Sequence, residues 1–213
     1  MEELYNQLDF AVKPQYEKII SDILENGYSI VDDLLSQDTV NSLRTDLLEK
    51  YEDDLFKKAA IGNRLNEVVQ TGIRGDFILW MDENIINASH KLFFDRINDL
   101  ASYLNRTCFL GIMRKEFHYA VYPEGKFYAR HLDTFQNDDR RKLSIVCYLN
   151  EDDWQPEHGG ELVLYLNREN GEIPKTIYPL PGRAVIFESR DLEHEVKPAK
   201  RERLSITGWL KTR

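Results

Sequence analysis

Two histidines and one aspartate in the second half of the chain have the residue types and spacing of a metal site. His131 and Asp133 are separated by one residue, and His194 lies further along the chain. Alternate residues of a β-strand point to the same side, so His131 and Asp133 can converge on one ion. Two imidazoles and one carboxylate form the facial triad of non-haem Fe(II) oxygenases, which keeps coordination positions open for a co-substrate and oxygen. The competing interpretation is a surface strand whose polar residues face water, because His-x-Asp is a short pattern.

An arginine nine residues after His194 has the charge that a 2-oxo acid would need. On the last predicted strand, Arg203 and Thr207 point to the same side. A guanidinium binds a carboxylate through two hydrogen bonds, and the Thr207 hydroxyl and the Tyr148 phenol could reach the same group. This arrangement predicts a site for the distal carboxylate of 2-oxoglutarate. The alternative is an ordinary salt bridge from Arg203 to a nearby glutamate.

The composition restricts the classes of protein to which this chain can belong. Its 213 residues, 42% of them hydrophobic and 31% charged, are ordinary for a globular protein, and we expect one domain over residues 1–213. The formal net charge of −9 opposes binding to nucleic acid or to an anionic membrane. We see no apolar run that could span a bilayer and no signal peptide. Cys108 and Cys147 lie in apolar segments that resemble strands, which predicts reduced thiols in the cytoplasm.

The first half of the chain, about residues 1–105, predicts helices that support a β-rich second half. The apolar stripe of each helix would pack against a sheet. The first predicted helix runs from Pro14 to about Glu25, with Ile19, Ile20, Ile23 and Leu24 on one side. The second follows the cap Ser36, and its apolar side contains Val40, Leu43, Leu47, Tyr51 and Leu55. The third runs from about Asn87 to Leu104, with Leu92, Phe93, Ile97, Leu100 and Leu104 pointing inward. We expect His90 on a helix surface and His118 in the core.

The second half, about residues 106–213, changes to the period of β-strands. The predicted strands span residues 109–122, 127–132, 143–149, 161–166, 183–187 and 204–210. Turns are expected at residues 150–160, 167–171 and 179–182. The His131-x-Asp133 pair would end one strand, and His194 would follow another by a short loop. Short strands separated by turns predict a β-sandwich or jelly roll, and with the helices an α+β fold.

Several segments, in the same order, resemble the 2-oxoglutarate-dependent prolyl hydroxylases, in particular the group of the hypoxia-factor hydroxylases and their bacterial relatives. These segments are IRGDFILW at residues 73–80, HYAVYPEGKFYARHLD at 118–133, CYLN at 147–150, GGEL at 159–162, HEV at 194–196 and RLSITGW at 203–209. The resemblance covers about residues 70–213, and the interval from Tyr122 to His131 is similar to the bacterial branch. It implies a double-stranded β-helix, the cupin-like form of the jelly roll.

The resemblance also implies roles for individual residues. His131, Asp133 and His194 match the iron ligands, and Arg203 matches the arginine that pairs with 2-oxoglutarate. The remaining matches are to a tyrosine near the iron (Tyr122), to the co-substrate pocket (Tyr148, Leu162 and Thr207) and to a mobile loop that covers the substrate (Arg74, Asp76 and Trp80). The competing interpretation of that loop is a turn at Gly75 between two strands.

The function that the resemblance implies is hydroxylation of a prolyl residue in a cytosolic protein or peptide. Fe(II), 2-oxoglutarate and O2 would be used, succinate and CO2 would be released, and ascorbate would return oxidised iron to Fe(II). Asp133 argues against the halogenases of this fold, and Trp209 stands where the nucleic-acid demethylases carry a second arginine. Three alternatives remain open: an oxygenase that acts on another residue or a small molecule, a non-catalytic metal-binding cupin-like sensor, and a purely structural jelly-roll module.

Overall fold

The computed structural model describes residues 11–59, 72–84, 87–134 and 140–212. The helices in these ranges are α1 (Pro14–Asn26), α2 (Gln37–Glu52) and α3 (Ala88–Cys108), with a short 3-10 helix at Pro156–His158. The strands are β1 (Tyr28–Val31), β2 (Lys57–Lys58), β3 (Phe77–Trp80), β4 (Arg114–Tyr122), β5 (Tyr128–His131), β6 (Arg141–Tyr148), β7 (Leu162–Arg168), β8 (Gly171–Ile177), β9 (Ala184–Glu188), β10 (Glu193–Val196) and β11 (Arg203–Lys211). None of the described helices combines the length and the hydrophobicity that a membrane span requires.

The strands form two antiparallel sheets that pack face to face. The larger sheet has the order β1-β9-β6-β11-β4-β3-β2, and the smaller sheet has the order β5-β10-β7-β8. Side chains of both sheets fill the space between them: Ala120, Tyr122, Val146, Tyr148, Val185 and Phe187 from the larger sheet, and Leu162, Leu164, Leu166, Ile177 and Val196 from the smaller one. The predicted α+β jelly roll is confirmed.

The helices cover the outer face of the larger sheet. On β11, Leu204, Ile206 and Leu210 pack with the helices, whereas Arg203 and Thr207 face a cavity between the sheets. Successive strand residues point to opposite faces, so one strand contributes both to the core and to the cavity wall. The helical side of this core contains Ile19, Val40, Leu43, Leu47, Phe93, Ile97, Leu100 and Leu104.

Some residues of the predicted helical stripes lie elsewhere. Leu24 and Leu92 are 81% and 55% exposed, because each points about 100° round its helix from the packed residue beside it. Leu55 is 50% exposed, since α2 ends three residues before it. The expectation that His90 lies on a helix surface is also wrong: it is buried, and its Nε2 lies 2.9 Å from the Asp46 carboxylate.

The β-rich half differs from the prediction at three places. Helix α3 continues to Cys108, and Phe109, with a φ of 53°, ends it, so the strand expected from residue 109 begins at Arg114. Strand β8 is missing from the prediction; its Pro174 is tolerated because β8 is an edge strand of the smaller sheet. His194 lies within the short strand β10 instead of in a loop.

Candidate metal centre and active site

Strand pairing brings the three predicted metal ligands together. His131 on β5 lies directly opposite His194 on β10, so the two imidazoles project from the same face of the smaller sheet. Asp133 follows the end of β5, with its Oδ1 3.6 Å from His131 Nε2 and its Oδ2 3.5 Å from His194 Nε2. One potential ligand atom from each residue lies within 4.8 Å of those of the other two.

Hydrogen bonds to backbone carbonyls orient both imidazoles for metal binding. His131 Nδ1 donates to the carbonyl of Ala129 at 2.8 Å, and His194 Nδ1 donates to the carbonyl of Leu192 at 3.1 Å. A carbonyl oxygen only accepts, so Nδ1 carries the proton in each ring. The lone pairs at Nε2 therefore face Asp133, which is the arrangement that a metal-binding histidine needs.

The charges in this cluster suit a divalent cation. Burial lowers the pKa of His194 to about 4 although Asp133 opposes this shift, so the imidazole is neutral near pH 7. Burial alone would raise the pKa of Asp133, but the two histidines and the Ser144 hydroxyl outweigh burial and hold it below its ordinary value. Ser144 Oγ donates to Asp133 Oδ2 at 2.6 Å and also lies 2.8 Å from Ser189 Oγ.

Aromatic side chains pack against both histidine rings. The ring of Tyr128 stacks on His131, with centroids 3.6 Å apart and an interplanar angle of 17°. Arg74 lies over the same tyrosine, with its Cζ 4.3 Å from the ring centroid. Phe187 contacts the His194 ring edge-on at 4.7 Å. These contacts restrict rotation of both imidazoles before any ligand binds.

The donor set fits a transition metal. Two imidazole nitrogens and a carboxylate oxygen on one side leave the other side of an ion exposed to the cavity, as in the facial triad that binds Fe(II). Bonds of about 2.0–2.2 Å from a first-row metal to nitrogen or oxygen place adjacent ligand atoms about 3 Å apart. The separations of 3.5 and 3.6 Å need only a small inward movement to reach that distance.

Arg203 is almost fully buried beside the same cavity. It is 1% exposed; its Nε donates to the carbonyl of Gly160 at 2.9 Å, and its Nη1 donates to Ser205 Oγ at 3.3 Å. The guanidinium also lies 4.9 and 5.0 Å from the ring centroids of Tyr122 and Tyr148. No acidic residue in the described ranges forms an ion pair with Arg203, so the alternative of a structural salt bridge finds no partner there.

A cavity of about 510 Å³ joins the metal ligands to Arg203. Of the predicted co-substrate residues, Tyr122, Leu162 and Thr207 line this cavity. Tyr148 lies behind Arg203 and does not line it, but its buried hydroxyl has no hydrogen-bond partner within the described part of the chain. Together with the Arg203 guanidinium, which forms no ion pair within the described ranges, this hydroxyl fits a region that accepts an anionic, oxygen-rich ligand.

The predicted substrate loop is in large part a strand. Residues 77–80 form β3, which pairs with both β2 and β4, and Ile78 and Trp80 face the cavity as the alternation predicts. Arg74 and Asp76 form a buried ion pair, with Arg74 Nη2 2.6 Å from Asp76 Oδ2. These contacts describe an ordered wall of the cavity next to Tyr128; the role of the segment as a lid stays a prediction.

Sequence reasoning did not identify a group of rings beside the metal ligands. His118 lies 4.9 Å from Trp80 and 5.7 Å from Trp209, measured between ring centroids, and Arg141 stacks on Trp209 at 3.5 Å. Burial and the charge of Arg74 lower the pKa of His118 to about 3. His118 Nδ1 and Trp209 Nε1 are buried without partners in the described ranges. The alternation of His118 with the cavity-facing Tyr122 on β4 is the signal that could have placed it here.

Comparison with known proteins agrees with this geometry. A family model of the 2OG-Fe(II) oxygenase superfamily matches residues 117–211, which include all three candidate metal ligands and Arg203. The crystal structure of a prolyl-4-hydroxylase from Pseudomonas putida is 36% identical, has a TM-score of 0.83, and the match covers 94% of this chain and 100% of that one. A second similar structure is a prolyl hydroxylase from Trichoplax adhaerens, solved with a peptide fragment of the hypoxia inducible factor oxygen degradation domain. It is 28% identical and has a TM-score of 0.82, and the match covers 93% of this chain and 89% of that one.

A curated relative extends the comparison in sequence. The hypoxia-inducible factor prolyl hydroxylase of Caenorhabditis elegans is 29% identical over 202 residues. That match covers 91% of this chain but spans only 28% of the nematode protein. The similarity to the Pseudomonas structure, by contrast, extends over the whole of that chain. This chain belongs to the prolyl hydroxylases of the 2OG-Fe(II) oxygenase superfamily.

Proposed function

We propose that this protein hydroxylates a prolyl residue of a protein or peptide, with Fe(II) as its metal and 2-oxoglutarate as its co-substrate. The observation that carries the proposal is the shared cavity of the His131, Asp133 and His194 cluster and the buried Arg203. A buried guanidinium without a carboxylate partner needs an anion, and the metal cluster lines the same cavity as Arg203. The family of the chain supports both assignments.

Each group in the cavity has a defined part in this proposal. Bound Fe(II) would supply the oxidative chemistry, in which 2-oxoglutarate and O2 yield succinate, CO2 and a hydroxylated C–H bond. His131, Asp133 and His194 would hold the metal on one side, while Arg203 and Thr207 bind the distal carboxylate. Among the other residues that line the cavity, the apolar side chains of Leu162, Val146 and Phe187 would exclude water from the reacting groups.

The open side of the cavity suits a peptide. Trp80 is 44% exposed at its rim, and Trp209 and His118 lie beneath it. Aromatic surfaces of this kind bind the flat, preorganised backbone around a proline at a low cost in conformational entropy. The peptide-bound structure of the Trichoplax relative supports this choice over a small-molecule substrate.

The setting of the reaction is also part of the proposal. The formal net charge of −9 argues against nucleic acid as a substrate. Cys108 and Cys147 are both free, as expected in the cytoplasm, where we place the protein. Ascorbate would serve as the reductant that restores Fe(II) after an unproductive turnover.

The test is an assay with Fe(II), 2-oxoglutarate and proline-containing peptides that measures succinate and a mass increase of about 16 Da on the peptide. His131→Ala, Asp133→Ala and His194→Ala should each abolish both products, because a three-ligand site that loses one corner binds metal poorly. His158→Ala, a histidine away from the cavity, is the matched control and should retain activity.

Two results would contradict the proposal. A well-folded His131, Asp133 or His194 variant with near-wild-type turnover would exclude that residue as an essential ligand. A wild-type protein that binds metal and 2-oxoglutarate but forms no succinate with any peptide would be a sensor instead of an enzyme.

A further inference from the structure

The charge at the cavity differs in sign from the charge of the whole protein. The formal net charge of the chain is −9. Among the described residues that line the cavity, Asp133 is the only acidic one, and its carboxylate faces the metal-binding histidines. The basic side chains on the cavity wall are Lys57, Lys58, Arg74, Arg141 and Arg203. A local concentration of positive charge on an acidic protein favours a ligand with negative charge.

Several basic side chains near the surface form ion pairs with acidic partners, whereas two exposed lysines at the rim of the cavity form none within the described ranges. Arg130 pairs with two glutamates, and Arg183 pairs with an aspartate. On the cavity wall, Arg74 pairs with Asp76. Lys57 and Lys58 are both exposed, and neither forms an ion pair with an acidic side chain in the described ranges. Their charges are therefore available to a bound molecule.

The strand register shows which of the two lysines faces the substrate side. Lys57 lies opposite Ile78 on β3, and Ile78 lies opposite Ala120 on β4. Side chains opposite each other on antiparallel strands share a face, so Lys57 is on the cavity face together with Ile78. Strand β2 is the edge of the larger sheet, which leaves Lys57 accessible from the solvent.

The surroundings of Lys57 favour a peptide over a free inorganic anion. Leu55, Trp80 and Leu132 also line the cavity and are 50%, 44% and 41% exposed. The rim thus combines exposed apolar side chains with unpaired positive charge. A segment with both apolar and acidic side chains would complement it.

We infer that the peptide substrate carries an acidic side chain near the target proline and that Lys57 binds this side chain. The inference rests on the proposed prolyl hydroxylase function and adds to it a substrate class and a specificity-determining residue. A nucleic-acid strand would offer negative charge as well, but the acidity of the remainder of the molecule disfavours it.

The experiment uses peptide pools with one central proline and one neighbouring position fixed as Glu, Gln or Lys, the other positions being mixed. Each fluorescently labelled pool is tested for binding by anisotropy and for hydroxylation by the mass increase of about 16 Da. The enzymes, all with Mn(II) or Fe(II) and 2-oxoglutarate, are the wild type, Lys57→Gln and Lys57→Glu. Lys200→Glu changes an exposed lysine away from the cavity and alters the net charge by as much as Lys57→Glu does. It is therefore the matched control for that variant.

The wild type and Lys200→Glu should bind the Glu pool on the order of 5-fold more tightly than the Gln pool at low salt. Lys57→Gln should lose this preference, and Lys57→Glu should prefer the Lys pool. Equal binding of all pools by the wild type, or an unchanged Glu preference in Lys57→Glu, would overturn the inference. Tighter binding of single-stranded DNA of equal charge than of the Glu pool would overturn it as well.

The two readouts separate this inference from the function on which it rests. A Glu preference in binding that depends on Lys57, without hydroxylated proline in any pool, would support the docking surface and reject prolyl hydroxylation. Hydroxylation of all pools at equal rates and with equal binding would support the function and reject the role of Lys57.

Discussion

Arg203 occupies a position that is unfavourable unless an anion is bound. Its guanidinium is 1% exposed, and its described hydrogen-bond partners, the Gly160 carbonyl and the Ser205 hydroxyl, are neutral. Two neutral acceptors compensate only part of the hydration that a buried cation loses. The missing stabilisation would come from the carboxylate of the co-substrate. The incompletely compensated charge of Arg203 would therefore strengthen the binding of 2-oxoglutarate.

Replacement of Arg203 by lysine tests this assignment. Lysine keeps the charge but loses the two-pronged donor geometry, so we expect the apparent KM for 2-oxoglutarate to rise by about 5- to 150-fold, or about 1–3 kcal/mol. Metal affinity, measured by calorimetric titration with Mn(II) in the absence of 2-oxoglutarate, should change much less. The assignment is wrong if 2-oxoglutarate saturation is unchanged while metal binding collapses.

At the scale of single residues, the sequence predicts features that arise from alternation along a strand and misses features that depend on pairing between strands. The convergence of His131 and Asp133 results from their spacing. The Ser144 hydroxyl that orients Asp133 comes from β6, and no local pattern connects the two. His118 Nδ1 and Trp209 Nε1, which have no hydrogen-bond partner among the described residues, likewise gain a functional interpretation only once the cavity is known.

At the scale of elements, one buried polar group joins two helices to the larger sheet. Asp46 on α2 accepts hydrogen bonds from Tyr119 on β4 and from Asn87 at the N-terminus of α3, and it contacts His90 on α3. Lys50, one turn along α2, also pairs with it. Because His118 next to Tyr119 faces the cavity, this group helps to hold the strand that forms one wall of the site.

Asp46→Asn should destabilise the protein, and more strongly at neutral than at acidic pH. Burial raises the pKa of Asp46, but the hydrogen bonds from Lys50 and Tyr119 and the charges of His90 and Lys50 outweigh it and hold the pKa below its ordinary value. The folded state therefore gains stability from the ionised form above a pH of about 4, and this gain is lost as the pH falls through the lower folded-state pKa.

Urea unfolding of the wild type and Asp46→Asn between pH 7 and pH 3 measures this effect. The variant should lose about 2 kcal/mol or more at pH 7, and the difference between the two proteins should shrink towards pH 3. A difference that is constant with pH would show that the ionised carboxylate is not the stabilising form.

The helices and the edge strand β8 show why element borders are harder to predict than elements. The apolar stripes of the helices identify the faces that pack on the sheet, because the helical period repeats over several turns. Leu24 and Leu92 each follow or precede a packed residue in sequence but point away from the sheet, and both are exposed. An apolar residue type at the border of a stripe therefore does not predict burial. β8 contains Pro174 and begins at Gly171, which are typical of turns, and only its position at a sheet edge makes a strand possible.

At the scale of the whole molecule, the proposed ligands connect the two sheets. His131 and His194 belong to the smaller sheet, whereas Arg203 and Thr207 belong to the larger one. A metal ion with 2-oxoglutarate would bridge them across the cavity. Bound ligands should therefore stabilise the packing of one sheet on the other and not only their immediate neighbours.

Thermal unfolding tests this connection without turnover. Under anaerobic conditions, Mn(II) and 2-oxoglutarate together, each at about 100 times its dissociation constant, should stabilise the wild type by about 5 kcal/mol and raise its Tm by roughly 10 degrees or more. His131→Ala should lose this increase in Tm, whereas the control His158→Ala should keep it. Equal increases in His131→Ala and wild type would exclude binding at this cluster.

Strand β5 pairs with β10 on one side and forms an edge of the smaller sheet, and on its other side an isolated bridge joins Tyr128 to Arg74. Its last residue, His131, is a proposed metal ligand. An edge strand held by few backbone pairs opens more readily than the strands inside a sheet, and an open edge exposes the chain to proteases and to pairing with other chains. Metal bound to both His131 and His194 would tie β5 to β10, so we expect the lifetime of the protein in a cell to follow the supply of iron. Iron scarcity would then lower the amount of enzyme as well as its activity.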